Sequence, residues 1–289
     1  MSKVENRKSK VVTLAVALLA SVIVTIAAAI RPPTYEVFAV RFGTVPDFPV
    51  RGLVAGADSA RRLDIAMMVW LLVDPASDRR VLVDAGFHRD SLVQRWKVRD
   101  FLRPSSALAR WGIRSEDVTD IIITHMHWDH AGGIDLFPNA RVWIQKEEFE
   151  YYTTGEGRGR GGVDPIDVAI LTDLQTQGRL NLIDGDAREI LPGITVYTGG
   201  RHTYASQYVG VSMSSGNAVI ASDNLYLYEN LEKRVPIAQT LDAASNLRAQ
   251  ERMLQIASDP RLIVPGHDPQ IFTRFGGPGG PGDGFAQIK

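Results

Sequence analysis

Hydrophobic and polar positions alternate along this chain in short apolar runs broken by turn chemistry, with one long uncharged stretch near the start. Val11 to Ile30 runs for twenty residues without a charge, after Lys3, Arg7, Lys8 and Lys10 and before Arg31-Pro32-Pro33. It carries no amphipathic stripe, so it reads as an export element and not as a core helix. Its length suits a membrane-spanning helix, and Ala27-Ala28-Ala29 suits a signal peptidase, so residues 1–31 are assigned to a signal peptide or membrane anchor. The basic residues precede the run, which leaves the tail in the cytoplasm and delivers the rest to the periplasmic or extracellular side.

Beyond it the pattern predicts strands over Tyr35 to Phe42, Ala66 to Val73 and Arg80 to Val83, the last two joined as a hairpin by the turn residues Asp74 to Asp78. Gly43 to Arg62, with Pro46, Pro49, Gly52 and Gly56, reads as a loop and a mobile lid. Helices are expected over Asp90 to Trp96, Pro104 to Gly112 and Lys146 to Tyr152, and strands over Ile121 to Ile123 and Arg141 to Ile144. This alternation points to α/β layering. Gly155 to Gly162 lacks nucleotide-loop spacing and reads as a flexible surface insertion. Further strands are predicted at Leu180 to Ile183, Ile194 to Tyr197, and in a hairpin of Tyr208 to Met213 with Ala218 to Ala221, turning at Gly216-Asn217. A helix from Asp242 to Ala257 and a strand from Arg261 to Val264 follow. Residues 35–275 thus form one domain, and 276–289, rich in Gly and Pro, form a flexible tail.

Composition narrows the chemistry. Lys and Arg total 32 against 33 Asp and Glu, with no basic stripe interleaved with aromatics, so a nucleic-acid partner gains no support and a small-molecule substrate is favoured. The absence of cysteine excludes disulfides, thiolate nucleophiles and thiolate-ligated metal. Any metal is held by His, Asp or Glu.

Three of the six histidines stand within Thr124-His125-Met126-His127-Trp128-Asp129-His130-Ala131-Gly132-Gly133, where the buried strand of isoleucines ends. In extended backbone His125 and His127 project to one side and can converge on one cation, while Asp129 and His130 can face a second. Imidazole and carboxylate ligands suit Zn²⁺ best, and Fe²⁺, Mn²⁺ and Co²⁺ also fit. The same arrangement, a strand running into a Gly- or Asp-bearing turn, recurs at His202, Asp223 and His267. His202 is the third ligand for the first ion, and Asp223 can offer one oxygen to each ion. Asp84, in Asp84-Ala85-Gly86, either orients a ligand histidine or caps a turn. His88 is left as a solvated surface residue.

The order His125-x-His127-x-Asp129-His130, His202, Asp223, His267 resembles the metallo-β-lactamase superfamily, and within it most closely the N-acyl-homoserine lactonases. Asp129 to Gly133 matches their metal loop, Tyr226 stands three residues after Asp223 as their active-site tyrosine does, and Leu82 to Gly86 and Tyr226 to Leu231 with Val235-Pro236 match the flanks. One segment departs: Arg201-His202-Thr203-Tyr204-Ala205-Ser206-Gln207 keeps the ligand but not the glycines and second histidine expected there. The resemblance implies an αββα sandwich and two divalent ions, one on His125, His127 and His202, the other on Asp129, His130 and His267, bridged by Asp223. It further implies attack of a metal-bridging hydroxide on a lactone or related ester, with Tyr226 hydrogen-bonding the oxyanion and Asp129 carrying the proton. Phe48, Leu53, Phe87, Trp96 and Phe101 are candidates to accommodate an acyl chain. The alternatives are a dimetal phosphodiesterase or sulfatase, for which Arg201 is the suggestive cation, and a non-catalytic exported metal-binding protein.

Overall fold

The computed structural model describes residues 33–277 and 282–289, so the signal or anchor assignment for residues 1–31 lies outside the described residues. Among the described residues no helix is long and apolar enough to cross a membrane. The described residues form twelve strands: β1 (Glu36–Pro49), β2 (Arg62–Val73), β3 (Arg80–Val83), β4 (Asp120–Ile122), β5 (Arg141–Gln145), β6 (Leu180–Ile183), β7 (Arg188–Leu191), β8 (Ile194–Thr198), β9 (Gln207–Met213), β10 (Gly216–Ser222), β11 (Ile263–Pro265) and β12 (Phe285–Ile288). They make a seven-stranded sheet in the order β12-β1-β2-β3-β4-β5-β6 and a five-stranded sheet in the order β11-β10-β9-β8-β7.

Period-two alternation along the strands divides the core into layers. In β2, Ala66, Met68, Trp70 and Leu72 face the second sheet, where they meet Val196, Val209, Val211 and Ile220. Met67, Val69 and Leu71 point the other way, toward Leu108, Phe137 and Phe149 on the outer helical layer. On the far side of the second sheet, Tyr208, Val219 and Ala221 pack under Ala249 and Met253 of the helix Ala243–Ile256. Helix, sheet, sheet and helix are therefore stacked in the expected αββα order. Because β2 is buried along both faces, the first sheet is covered on each side.

Strands β3 to β6 run parallel, as do β10 and β11, so their carboxyl ends, where loops carrying chemistry collect, point the same way within each sheet.

Several boundaries differ from expectation. β1 continues through Gly43 to Pro49 by way of two register shifts, so the first part of the supposed lid is strand. The remaining turn is tied down: Val54 bridges Ile237, Ala238 N donates to Leu53 O at 3.0 Å, and Leu53 is buried. The β9–β10 hairpin turns at Ser214-Ser215, with Gly216 already paired to Met213. The flexible-tail reading of 276–289 fails at its end, because β12 pairs with β1 and buries Phe285, Ala286 and Ile288. The helix Pro165–Thr176 and strand β7 were not anticipated.

Candidate metal centre

The strand ends bring all seven candidate ligands together. His125, His127, His202 and Asp223 form one group and Asp129, His130 and His267 a second, each with ligand atoms within 4.8 Å of one another. His125 and His127 leave β4, His202 follows β8, Asp223 follows β10 and His267 follows β11. Gly266 is required before the last, since a Cβ there would lie 2.6 Å from Asp223 Oδ1 and 2.9 Å from Ser222 O.

Asp223 stands between the groups. Its Oδ2 is 3.4 Å from His202 Nε2 and 3.8 Å from His125 Nε2. Its Oδ1 is 3.0 Å from His267 Nε2 and 3.4 Å from His130 Nε2. Asp129 Oδ2 completes the second group, 3.6 Å from His130 Nε2 and 3.8 Å from His267 Nε2. In the first group His127 Nδ1 lies 3.1 Å from His125 Nε2 and 2.9 Å from His202 Nε2. A tetrahedral ion with bonds of about 2.0–2.1 Å separates its ligand atoms by roughly 3.3 Å, so both groups are spaced to hold one.

The remaining ring nitrogens are occupied from outside. His130 Nδ1 meets Asp84 Oδ2 at 2.8 Å, His267 Nδ1 meets Ala66 O at 3.0 Å, and His202 Nδ1 meets Gln239 O at 2.8 Å. These acceptors place the proton on Nδ1 and leave the Nε2 lone pair facing inward, the tautomer a metal ligand needs. His125 Nδ1 contacts Thr124 Oγ1 at 3.0 Å. His127 is reversed: Nδ1 faces the group and the Gly161 backbone accepts from the ring.

Electrostatics agree with a cation at this place. Burial, then neighbouring imidazoles, holds His125 well below the ordinary histidine range; burial and then His127 take His202 down to about 3. Burial also opposes charge on His130 and His267, yet Asp223, helped by Asp84 and Asp129 at His130 and by Asp129 at His267, raises both. Conversely, His130 and His267 hold the buried Asp223 carboxyl well below its usual range. His130 Nε2 and Asp223 Oδ1 are buried with no hydrogen-bond partner, a costly arrangement that two divalent ions would satisfy. The donor set, all nitrogen and oxygen, fits the implied metal pair.

The ligands open into a cavity of about 490 Å³. Val45, Phe48, Leu53, Ile65, Trp96 and Trp128 give it an apolar side, whereas Phe87 and Phe101 lie behind that wall, Phe87 edge-on to Trp128. Tyr226 lines the cavity, with its hydroxyl 3.2 Å from His202 Nδ1. Gly161 and Gly162 line it too, so the segment read as a surface insertion is a wall of the site; a Cβ on Gly162 would come 3.2 Å from the His127 ring. Asp84 takes the ligand-orienting alternative. His88 instead pairs with Asp135 at 2.9 Å, away from the centre.

A match to the model of the metallo-beta-lactamase superfamily spans residues 68–267. The chain belongs to that superfamily. An N-acyl homoserine lactonase of Bacillus cereus is 28% identical over 215 residues, covering 69% of this chain and 81% of the relative. Among solved structures, a quorum-quenching N-acyl homoserine lactone lactonase aligns with a TM-score of 0.67 at 23% identity, covering 82% of this chain and 94% of that one. The dizinc quorum-quenching lactonase AidC aligns at 0.64 and 17% identity, covering 90% and 95%. At those identities the solved structures establish the metallo-β-lactamase fold, and the chain is a hydrolase of the superfamily whose curated relatives include N-acyl homoserine lactonases.

Glu148, not singled out from the sequence, is wholly buried beside this site. Its only signal was position: an acid sharing a helical face with Phe149 and Tyr152, where apolar residues belong.

Proposed function

We propose that this protein opens a lactone of the N-acyl-homoserine type, or a closely related carboxylic ester, with two divalent ions of which Zn²⁺ fits the ligands best. The observation that carries the reading is the placement of Asp223, one carboxylate oxygen toward each group of ligands, beside Tyr226 in a half-apolar cavity. His125, His127 and His202 would hold one ion, Asp129, His130 and His267 the other, and Asp223 both. When bound, such a pair supplies an acidified water and electrophilic polarisation of the ester carbonyl.

The chain's own groups do the rest. The Tyr226 phenol is pushed to a higher pKa by burial and then by the Asp223 and Asp129 carboxylates, so it stays protonated and able to donate. With His202 Nδ1 donating toward it and toward Gln239 O, the Tyr226 proton is left for the oxygen that gains charge in the transition state. Asp129, the least buried member of the second group, would take the proton released by the attacking water and pass it to the leaving alkoxide. Phe48, Leu53, Trp96 and Trp128 exclude water and accept the apolar part of the substrate.

No Lys or Arg occurs among the described residues lining the cavity, and Arg201 lies over the Tyr204 ring instead, which favours a neutral ester over a phosphodiester or sulfate ester. A panel of acyl-homoserine lactones, aryl phosphodiesters and aryl sulfates on one metal-loaded sample tests the reading. Turnover of lactones above the other classes is expected; preference for either anionic ester would overturn it. We also assign the domain to the far side of the cytoplasmic membrane, on the strength of the uncharged run at 11–30 and the basic residues before it.

A further inference from the structure

We infer that Glu148 is a positioning residue for one metal position only, that of His125, His127 and His202, and sets the affinity of that position independently of the other. The inference rests on the dinuclear reading above.

Glu148 lies in the first turn of the helix Lys146–Thr153 and is fully buried. Its Oε1 accepts from Met126 N at 3.0 Å and from Thr203 Oγ1 at 2.7 Å, and its Oε2 accepts from Ala205 N at 2.7 Å. Met126 is the residue between His125 and His127, and Thr203 follows His202. One carboxylate thus joins the two chain segments that carry the three imidazoles of the first position. Burial pushes its pKa up, while the three donors favour the charged form. A carboxylate is the side chain that offers acceptors to all three donors at this distance and contributes none of its own.

The second position has separate supports. His130 is held by Asp84 and His267 by the Ala66 carbonyl, and among the described residues none of the hydrogen-bond partners of Glu148 bonds to Asp129, His130 or His267. Asp84 reaches the first position indirectly, through Thr124, whose hydroxyl contacts both Asp84 and His125 Nδ1, and through Ser222, the neighbour of the shared Asp223. Disturbing Glu148 should therefore separate His202 from the His125–His127 pair and leave the second triad as it is. Outer hydrogen-bond partners of this kind typically change metal affinity by about 10- to 100-fold.

Glu148→Gln is the direct test, since the amide keeps the volume but turns an N–H₂ toward one of the three donors. The full chain is stripped of metal and titrated with Co²⁺ against a competing chelator, in a His267→Ala background that leaves the first position and in a His202→Ala background that leaves the second. Glu148→Gln should weaken the retained ion about 10- to 100-fold in the first background and by less than about threefold in the second. Thr203→Val, which removes a single donor, should give a smaller loss with the same asymmetry, and it provides the reading if the glutamine variant does not fold. Equal losses in both backgrounds, or no loss in the first, would overturn the inference. If the unmutated chain takes up fewer than two ions, the dinuclear reading fails and carries this inference with it.

Discussion

Asp84 Oδ2 lies 2.8 Å from His130 Nδ1, and both residues are buried. Asp84 also accepts from Thr124 N at 2.8 Å, from the Thr124 hydroxyl at 2.9 Å and from Ser222 Oγ at 3.0 Å, so it joins the ends of β3, β4 and β10 at one carboxylate. Its backbone is left-handed, at φ 62°, a region aspartate tolerates better than most residues. The chain accepts that strain at the point where the second group of ligands is oriented.

Asp84→Asn is accordingly expected to lower affinity at the Asp129, His130 and His267 position by about 10- to 100-fold, because the amide no longer offers two acceptors and the His130 tautomer is no longer imposed. Metal titration of the Asn variant measures this. An unchanged second binding constant would reduce Asp84 to a packing residue.

Asp223→Ala removes the side chain that turns one carboxylate oxygen toward each group. We expect metal content to fall from two ions per chain to one or none, whereas the unmutated chain purified without chelator should hold two. Elemental analysis decides it. Two ions retained by the alanine variant would mean that the groups do not share a ligand.

How much of this was legible in the sequence depends on how each residue announces itself. Histidines and aspartates just past apolar strands stood out because imidazole is scarce in the chain and strand ends are where loops carry chemistry; the fold brings all seven into two adjoining groups. Glu148 did not, since an acid in a Lys-Glu-Glu run looks like a solvated helix face, and only the folded layers reveal that this one points inward. β12 was hidden for a similar reason. Four residues after a Gly and Pro stretch carry too little pattern to read as a strand, and their partner β1 lies about 250 positions earlier. The lid was misread because prolines and glycines in β1 mark bulges as well as loops.

The end strand makes its own stability claim. Phe285 stacks at 4.0 Å on Trp111 and at 4.9 Å on Phe38, closing one edge of the larger sheet. Phe285→Ala should cost about 3–5 kcal/mol, the usual price of a buried aromatic. Chemical denaturation followed by tryptophan emission reports it directly. A change below about 1 kcal/mol would show that β12 contributes little to the fold.

Export is expected with the amino terminus in the cytoplasm, because Lys3, Arg7, Lys8 and Lys10 precede the uncharged run. A reporter that works only outside the cytoplasm, fused after residue 40, should be active. Activity from a cytoplasm-restricted reporter at the same place would refute the assignment.

Tyr226 carries the sharpest claim of the lactonase reading. Its hydroxyl sits 3.2 Å from His202 Nδ1, lines the cavity at the candidate ligands and is held protonated by burial and by the nearby carboxylates. Tyr226→Phe keeps the ring against His202 and His267 and deletes only the donor. If that donor serves charge developing on the substrate, lactone kcat should fall roughly tenfold to a thousandfold with metal content unchanged, because the lost contact belongs to the transition state and not to the ligand set. A rise in KM alone would instead assign Tyr226 to ground-state binding. Loss of metal would mean that the phenol supports His202, and the rate would then say nothing about the oxyanion. Undiminished turnover would remove Tyr226 from the reaction and return the assignment to a hydrolase of the superfamily with its substrate still to be found.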